Sequence, residues 1–257
     1  MHMHMPPQMP FSGCLDVRLA RGPAEIAAAQ ALRHRVFFHE MGATPSPETA
    51  RTGLDIDPWD DHCEHLLALA DGVVVGTYRL IGRGAAERVG GFYSAAEFDI
   101  GPLLREPGEI LELGRSCIDR DWRNRGTLQL LWQGLADIII RRRIGILFGC
   151  ASLPGTDPLA LAPQLAYLHD HHLAPLPLRA RALPHRAAPM RRPEGGYEPR
   201  QVAHSLPPLL KGYLKAGAGI GTGAVVDHEF NTTDVLVVLK TETMTARYQR
   251  RYETKAA

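Results

Sequence analysis

Hydrophobic positions along the chain follow two different periods. Residues 14–20 (CLDVRLA) alternate between apolar and polar side chains, which predicts a strand. Residues 22–42 repeat apolar side chains at helical spacing after Pro23 in the first turn, which predicts an amphipathic helix ending at Gly42. Residues 65–82 predict a hairpin around Asp71 and Gly72. The stretches 43–62 and 83–108 predict a loop and a glycine-rich connection.

The second half of the chain adds a strand, a helix and further strands. Residues 109–118 predict a strand, 125–143 a helix and 144–153 a buried strand, and 224–240 predict two strands around Asn231. Residues 156–216 are broken by prolines, basic and partly helical, which indicates an insertion. The order predicts an α/β fold with a central mixed sheet. We assign residues 1–13 to a disordered lead-in and residues 14–257 to one domain.

Composition narrows the class of protein. The formal net charge of +1 argues against a general polyanion binder, so we expect no nucleic-acid partner. The cysteines are Cys14, Cys63, Cys117 and Cys150; they lie far apart without a CxxC pair, which indicates reduced thiols. The apolar runs fall short of the ~20 residues of a membrane span. We therefore expect a cytoplasmic protein, with peripheral contact to a membrane surface left open.

Residues 111–132 (LELGRSCIDRDWRNRGTLQLLW) carry the clearest chemical signal. Alternation places Glu112, Gly114 and Ser116 on one strand face, and Leu111, Leu113 and Arg115 on the other. The following turn contains Gly126, which lets backbone N–H groups at a helix start approach a phosphate. The alternative is a structural strand–turn–helix in which Glu112 is only salt-bridged.

These residues resemble the GNAT acyltransferase superfamily, whose phosphate-binding turn Arg123 and Gly126 match. Leu128 departs from that pattern and would crowd a diphosphate, but it tolerates the single phosphate of a phosphopantetheine arm. The blocks LRHRVF (32–37), DPWDDHCEHLL (57–67), TYRL (77–80) and ELGR (112–115) are similar to those of GNAT-like enzymes that take acyl chains from acyl carrier protein. The closer resemblance is to lyso-ornithine lipid synthases, in the blocks ELGRSC (112–117), LLW (130–132), FGCASLPGTDP (148–158), LPPLLKGYL (206–214) and TTDVLVVL (232–239). More distantly, the chain resembles acyl-homoserine lactone synthases.

The resemblance implies a GNAT-like fold with a mostly antiparallel sheet flanked by helices. It also implies transfer of a long-chain 3-hydroxyacyl group from acyl carrier protein to the α-amine of ornithine. That carrier thioester would be a co-substrate, with no bound cofactor and no metal. The groups 61–65 (DHCEH) and 169–172 (HDHH) lack the spacing of a zinc site, and we assign their histidines to surface or capping positions.

An amine acceptor must lose a proton before it attacks a thioester, and we predict Glu112 as the base, with a pKa raised by partial burial. The predicted substrate-binding residues are Arg33, Phe37, Asp57, Asp60, Arg79 and Arg115. Arg79 is assigned to the acceptor carboxylate and Asp57 or Asp60 to an amine. Loop capping remains the alternative for the two aspartates, and an ion-pair network for Arg33 and Arg115.

The predicted phosphopantetheine-binding residues are Cys117, Arg123, Arg125, Gly126 and Thr127. The resemblance to GNAT enzymes also implies that backbone N–H groups near Gly114 to Cys117 polarise the thioester carbonyl. A covalent acyl-enzyme on Cys117 is the less simple route.

The insertion is locally basic. Residues 176–200 contain six arginines and two glutamates, for a local charge of +4. We predict that Arg179, Arg181, Arg191 and Arg192 dock the acidic carrier protein. Anionic lipid headgroups and an incidental basic face are the alternatives. For the whole chain, the rival functions are an acyltransferase with another amine acceptor, an acetyl-CoA transferase, and a non-catalytic carrier- or lipid-binding module.

Overall fold

The computed structural model describes residues 14–123 and 125–244, without the side chain of Arg125. The strands in these ranges are β1 Leu15–Leu19, β2 Glu64–Ala70, β3 Val73–Gly82, β4 Phe98–Asp99, β5 Glu109–Ile118, β6 Ile144–Pro154, β7 Arg181–Ala182, β8 Ala187–Ala188, β9 Gly219–Ile220, β10 Ala224–Asp227 and β11 Thr232–Lys240. The α-helices are α1 Pro23–His34, α2 Pro47–Thr52, α3 Arg83–Arg88, α4 Gly101–Leu104, α5 Arg125–Arg142, α6 Ala162–His172, α7 Pro199–Ser205 and α8 Pro208–Ala216.

Most strands form one mixed sheet in the order β1-β2-β3-β5-β6-β11-β10-β8, and β9 also pairs with β11. Neighbouring strands are antiparallel except β5 and β6, which are parallel and joined by the crossover helix α5. Strands β4 and β7 form a separate two-stranded sheet. The predicted mixed, mostly antiparallel sheet flanked by helices is therefore confirmed.

Both sheet faces are covered by apolar side chains. Helices α5, α6 and α8 bury residues such as Leu131, Leu165 and Leu210 against one face. The other face packs against Leu32 of α1 and against Phe92 and Leu103 from the connection 83–108. Because α6 and α8 lie within 156–216, the predicted insertion supplies part of the main core and is not a surface appendage.

The parallel strands separate near their middle. The β5–β6 ladder ends where Glu112 pairs with Phe148, although β5 continues to Ile118 and β6 to Pro154. Just beyond this pair, a Cβ atom on Gly149 would lie 2.1 Å from the carbonyl oxygen of Leu113, so only glycine permits this backbone approach. The diverging strand ends open a space in the sheet.

A bulge in β5 corrects the predicted strand faces. Arg115 has a left-handed backbone with φ of 48°, and the β3–β5 register shifts between Thr77 and Arg79. The Arg115 side chain therefore lies on the same face as Glu112, and Ser116 instead hydrogen-bonds Tyr78 on the opposite face. The prediction that Arg115 shares a face with Leu111 and Leu113 was wrong.

Other predicted boundaries need smaller corrections. The helix predicted over 22–42 is α1 followed by a π-helical turn at Arg35–Glu40. The loop predicted over 43–62 contains α2, whose first turn is capped by the Ser46 side chain, and a 3₁₀ turn at Asp60–His62. The connection 83–108 contains α3, α4 and β4. The predicted lead-in 1–13 lies outside the described residues, and no described helix is both long and apolar enough to cross a membrane.

Candidate active site

A cavity of about 340 Å³ opens where β5 and β6 separate. Strand β5 contributes its wall from Glu112 to Ile118, and β6 contributes Cys150 to Ser152. Apolar side chains, among them Phe37, Met41 and Leu209, also line this cavity. It therefore combines an apolar volume with a few polar groups, as small-molecule sites commonly do.

Glu112 lies on the cavity wall and is held by a short turn from the connection before α4. The backbone N–H groups of Tyr93 and Ser94 donate to its two carboxylate oxygens at 2.8 and 2.7 Å, and the Ser94 hydroxyl donates to Oε1. Burial raises the pKa of Glu112, although these hydrogen bonds oppose the rise. A positioned, buried carboxylate with a raised pKa can accept a proton from an amine in the cavity.

Three arginines and three aspartates form a closed ring of ion pairs next to Glu112, here called the Arg–Asp ring. Around the ring, N–O distances are 2.7 Å for Arg33–Asp55, 3.2 Å for Asp55–Arg115, 3.2 Å for Arg115–Asp57, 2.6 Å for Asp57–Arg79, 3.4 Å for Arg79–Asp60 and 2.8 Å for Asp60–Arg33. The formal charges cancel. The ring ties α1, β3 and β5 to the segment before β2.

The ring divides the predicted substrate-binding residues into two groups. The Arg33 side chain is 0% exposed and the Asp60 side chain 2% exposed, and neither lines the cavity. Burial alone would raise the pKa of Asp60, but its hydrogen bonds and ion pairs with Arg33, helped by Arg79, lower it to about 2. The geometry favours the ion-pair alternative for Arg33 and a structural role for Asp60.

Arg79 and Arg115 do line the cavity. The Arg115 guanidinium carbon lies 4.8 Å from the ring centroid of Tyr93 and 4.4 Å from that of Phe230, so both aromatic rings contact this cation. Asp57 pairs with both arginines and does not line the cavity, so the structure does not bring it to the predicted amine position. Phe37, packed edge-on against Phe230, does line it.

The residues predicted to bind phosphopantetheine lie at different depths. Cys117 and Arg123 line the cavity, and Arg123 also pairs with Glu40 and donates to the Ile118 carbonyl. Gly126 is exposed at the start of α5, whereas Thr127 is fully buried. The Arg125 side chain lies outside the described part of the chain. Burial raises the pKa of the Cys117 thiol to about 12, which disfavours the thiolate of a covalent route.

A second group of buried acids was missed by the sequence reasoning. Asp227 and Asp234 line the cavity, and Glu97 lies behind Cys150, whose thiol donates to it at 3.4 Å. Here Asp227, Asp234 and Glu97 are called the acidic wall. Burial, helped by neighbouring acidic charge, raises the pKa of Glu97 to about 7 and that of Asp234 to about 6. The only earlier signal was the aspartate inside the apolar block TTDVLVVL.

The arginines of the insertion are unequal in exposure. Arg179 is partly buried and donates to the Ala174 carbonyl at 2.7 Å, and Arg192 pairs with Asp170 at 2.8 Å. Arg181, Arg191 and Arg192 are all exposed, but only Arg192 of these three has an ion pair with a described residue. Arg181 and Arg191 are therefore the best candidates for docking, whereas Arg179 fixes local structure.

Comparisons with known proteins agree with this geometry. Residues 32–133 match the family described as acetyltransferase (GNAT) domain. Curated relatives named L-ornithine N(alpha)-acyltransferase come from Rhizobium meliloti, with 46% identity over 93% of this chain and 84% of the relative, and from Brucella abortus, with 44% identity over 95% and 90%.

Among solved structures, FeeM, an N-acyl amino acid synthase from uncultured soil microbes, aligns with a TM-score of 0.53 and 13% identity over 93% of this chain and 99% of that one. BjaI, a CoA-dependent acyl-homoserine lactone synthase, aligns with a TM-score of 0.50 and 14% identity over 95% and 89%. These distant structures support the fold alone. From its curated relatives, the chain belongs to the L-ornithine Nα-acyltransferase family and is an acyltransferase with a GNAT fold.

Proposed function

We propose that the protein transfers a long-chain 3-hydroxyacyl group from acyl carrier protein to the α-amine of ornithine, which yields lyso-ornithine lipid. The observation that carries the proposal is the placement of Glu112, a buried carboxylate on the wall of a cavity that opens between β5 and β6. The curated relatives support ornithine as the acceptor. The family resemblance of the sequence blocks supports acyl carrier protein as the donor, whereas the Leu128 side chain packs against the main core and does not decide between one phosphate and two.

The reaction needs one base and one oxyanion site. Glu112 accepts a proton from the ornithine α-ammonium, and the neutral amine attacks the thioester carbonyl carbon. Backbone N–H groups of β5 near Gly114 to Cys117, beyond the end of the β6 ladder, stabilise the tetrahedral oxyanion. The attacking nitrogen then loses its second proton, the C–S bond breaks to leave the amide, and that proton is taken up by the carrier thiolate.

The Arg–Asp ring positions the acceptor. Arg79 and Arg115 line the cavity and carry guanidinium edges that suit a carboxylate. Arg115 is additionally oriented by Tyr93 and Phe230. We assign these two arginines to the ornithine α-carboxylate, which directs the α-amine toward Glu112.

The cellular setting is part of the same proposal. The lipid product and the exposed Leu159 and Leu176 in the basic insertion favour a cytoplasmic enzyme working at the inner membrane face. Mass spectrometry of lipids from a bacterial host that lacks ornithine lipids and expresses this chain tests the function. We expect an ornithine-containing hydroxyacyl amide. An acyl amide of a different amine, with no ornithine product, would overturn the proposed acceptor.

A further inference from the structure

The two aspartates of the acidic wall lie on the same sheet face as Glu112. Asp234 of β11 pairs with Ser152 of β6, and Val225, two residues before Asp227 on β10, pairs with Asp234. The side chains of Phe148 and Leu236 on these strands pack together on that face, and alternation places Asp234 beside them. The acidic wall therefore continues the cavity surface away from Glu112.

Glu112 and the acidic wall are linked through two polar side chains. The Ser94 hydroxyl donates to Glu112, and the Cys150 sulfur lies 3.6 Å from the Ser94 hydroxyl oxygen. A carboxylate oxygen of Glu97, one of Asp234 and the Cys150 sulfur lie within 4.8 Å of one another. One serine and one cysteine thus separate Glu112 from the acidic wall.

The acidic wall is short of positive charge. Asp227 and Asp234 are 8% and 6% exposed, and within residues 14–123 and 125–244 no lysine, arginine or histidine nitrogen lies within 4.0 Å of either carboxylate. Glu97 faces Arg186 at 3.6 Å, and the Arg–Asp ring neutralises itself. Asp234 accepts hydrogen bonds from the Thr232 and Ser152 side chains, and Asp227 accepts two from backbone N–H groups, but neither has an ion pair with a described residue. Buried carboxylates without a paired cation are costly, and a ligand carrying an ammonium group would offset that cost.

We propose that the acidic wall binds the side-chain ammonium of the acceptor and so selects a dibasic amino acid. The inference rests on the proposed function, in which the α-amine faces Glu112. In ornithine the two nitrogens are five bonds apart, roughly 6 Å when extended. That span suits two carboxylate positions separated by Ser94 and Cys150. Asp234, with Asp227 beside it, is the specificity-determining residue.

The test compares L-ornithine with L-norvaline, which has the same carbon chain but no δ-amine. Initial rates of thiol release from a 3-hydroxyacyl carrier protein are measured for the wild type and for the isosteric variant Asp234→Asn. We expect Asp234→Asn to raise KM for ornithine by at least about tenfold and to change kcat less, because it removes a binding charge remote from the reacting carbon. The preference for ornithine over norvaline should fall by a similar factor.

Asp137→Asn, an exposed change on α5, is the matched control and should leave the ornithine KM unchanged. Thermal unfolding checks that each variant is folded, and Asp227→Asn replaces Asp234→Asn if the latter is not. An ornithine KM within about threefold of wild type in the folded variant overturns the inference, as does loss of ornithine selectivity on metal chelation. If the wild type makes no ornithine amide at all, the proposed function itself fails, which is a distinct result.

Discussion

At the residue scale, the site separates buried charges that compensate one another from buried charges that do not. Every arginine of the Arg–Asp ring contacts two aspartates and every aspartate contacts two arginines. Glu112 and the acidic wall have no such set of partners among the described residues. We attribute architecture to the ring, in which only Arg79 and Arg115 also line the cavity and can reach a ligand, and ligand chemistry to the second group.

A substitution at Arg33 tests whether the Arg–Asp ring stabilises the fold. Replacement by Met keeps the length of the side chain but leaves Asp55 and Asp60 buried with fewer partners. We expect Arg33→Met to lower the free energy of unfolding by about 3–5 kcal/mol in urea titrations. The matched control is Arg35→Met in the π-helical turn after α1. It removes an ion pair between half-exposed Arg35 and Asp119, which follows β5, and should lower the free energy of unfolding far less. Unchanged stability with a raised ornithine KM would instead indicate direct substrate binding by Arg33.

The pH dependence of stability tests whether Asp234 is a buried carboxylate without an ion pair. Its folded pKa of about 6 is raised, so protonation stabilises the folded enzyme at low pH, and this contribution is lost as pH rises through 6. Asp234→Asn removes the penalty, so relative to wild type it should gain up to about 3 kcal/mol of unfolding free energy at pH 8 and little at pH 4. Urea titrations at both pH values measure this difference. An equal difference at both pH values would argue against a buried, uncompensated charge.

At the element scale, the separation of β5 from β6 creates the cavity, and a glycine allows the close backbone contact at its base. Gly149 meets the Leu113 carbonyl just beyond the last ladder pair. The bulge at Arg115, on the same strand, turns that guanidinium into the site. Two local departures from regular strand geometry therefore place Glu112, Arg115 and the open end of β5 together.

Gly149→Ala tests this arrangement. A methyl group there overlaps the Leu113 carbonyl, so the strands must shift next to Glu112. We expect a loss of about 1–3 kcal/mol or more in stability and a clear fall in kcat/KM. Gly145→Ala, on the same strand with its nearest β5 contact at an ordinary 3.6 Å, is the control and should leave both quantities close to wild type. Equal behaviour of the two variants would show that the close approach at Gly149 is not required.

Sequence periodicity was enough to predict the regular strands and helices, but it did not predict which residues meet at the site. The hairpin around Asp71, strand β5 and helix α5 were predicted within a residue or two, because each depends on local alternation or helical spacing. Glu97 lies in a stretch that carries no clear periodicity, and Asp234 comes from the far end of the chain. Their proximity to Glu112 depends on strand order, which local patterns do not encode.

At the scale of the whole molecule, two parts of the chain surround one cavity. Residues 32–133 supply the matched GNAT region with Glu112 and all six residues of the Arg–Asp ring. The later part supplies β6, β10 and β11 with Cys150, Asp227 and Asp234. The curated relatives align across both parts, in agreement with a site to which both contribute.

We expect the basic insertion to bind the acyl carrier protein. Arg191→Glu places a negative charge on an exposed position, and we expect it to raise KM for the acyl carrier protein about three- to tenfold without changing KM for ornithine. Added salt should raise the wild-type value in the same direction. The control is Arg141→Glu, which changes an 80% exposed side chain on α5 outside the insertion. Loss of binding to anionic vesicles with an unchanged carrier KM would assign this surface to the membrane.

The central claim is that Glu112 removes a proton from the acceptor amine beside a carrier-bound thioester. The most direct measurement is kcat of Glu112→Gln with 3-hydroxyacyl carrier protein and saturating L-ornithine, followed from pH 7 upward. We predict a loss of about 10²–10⁴-fold at pH 7, with partial recovery as rising pH supplies the neutral amine, in a variant that remains folded. A folded variant that turns over within about threefold of wild type at pH 7 would contradict the claim.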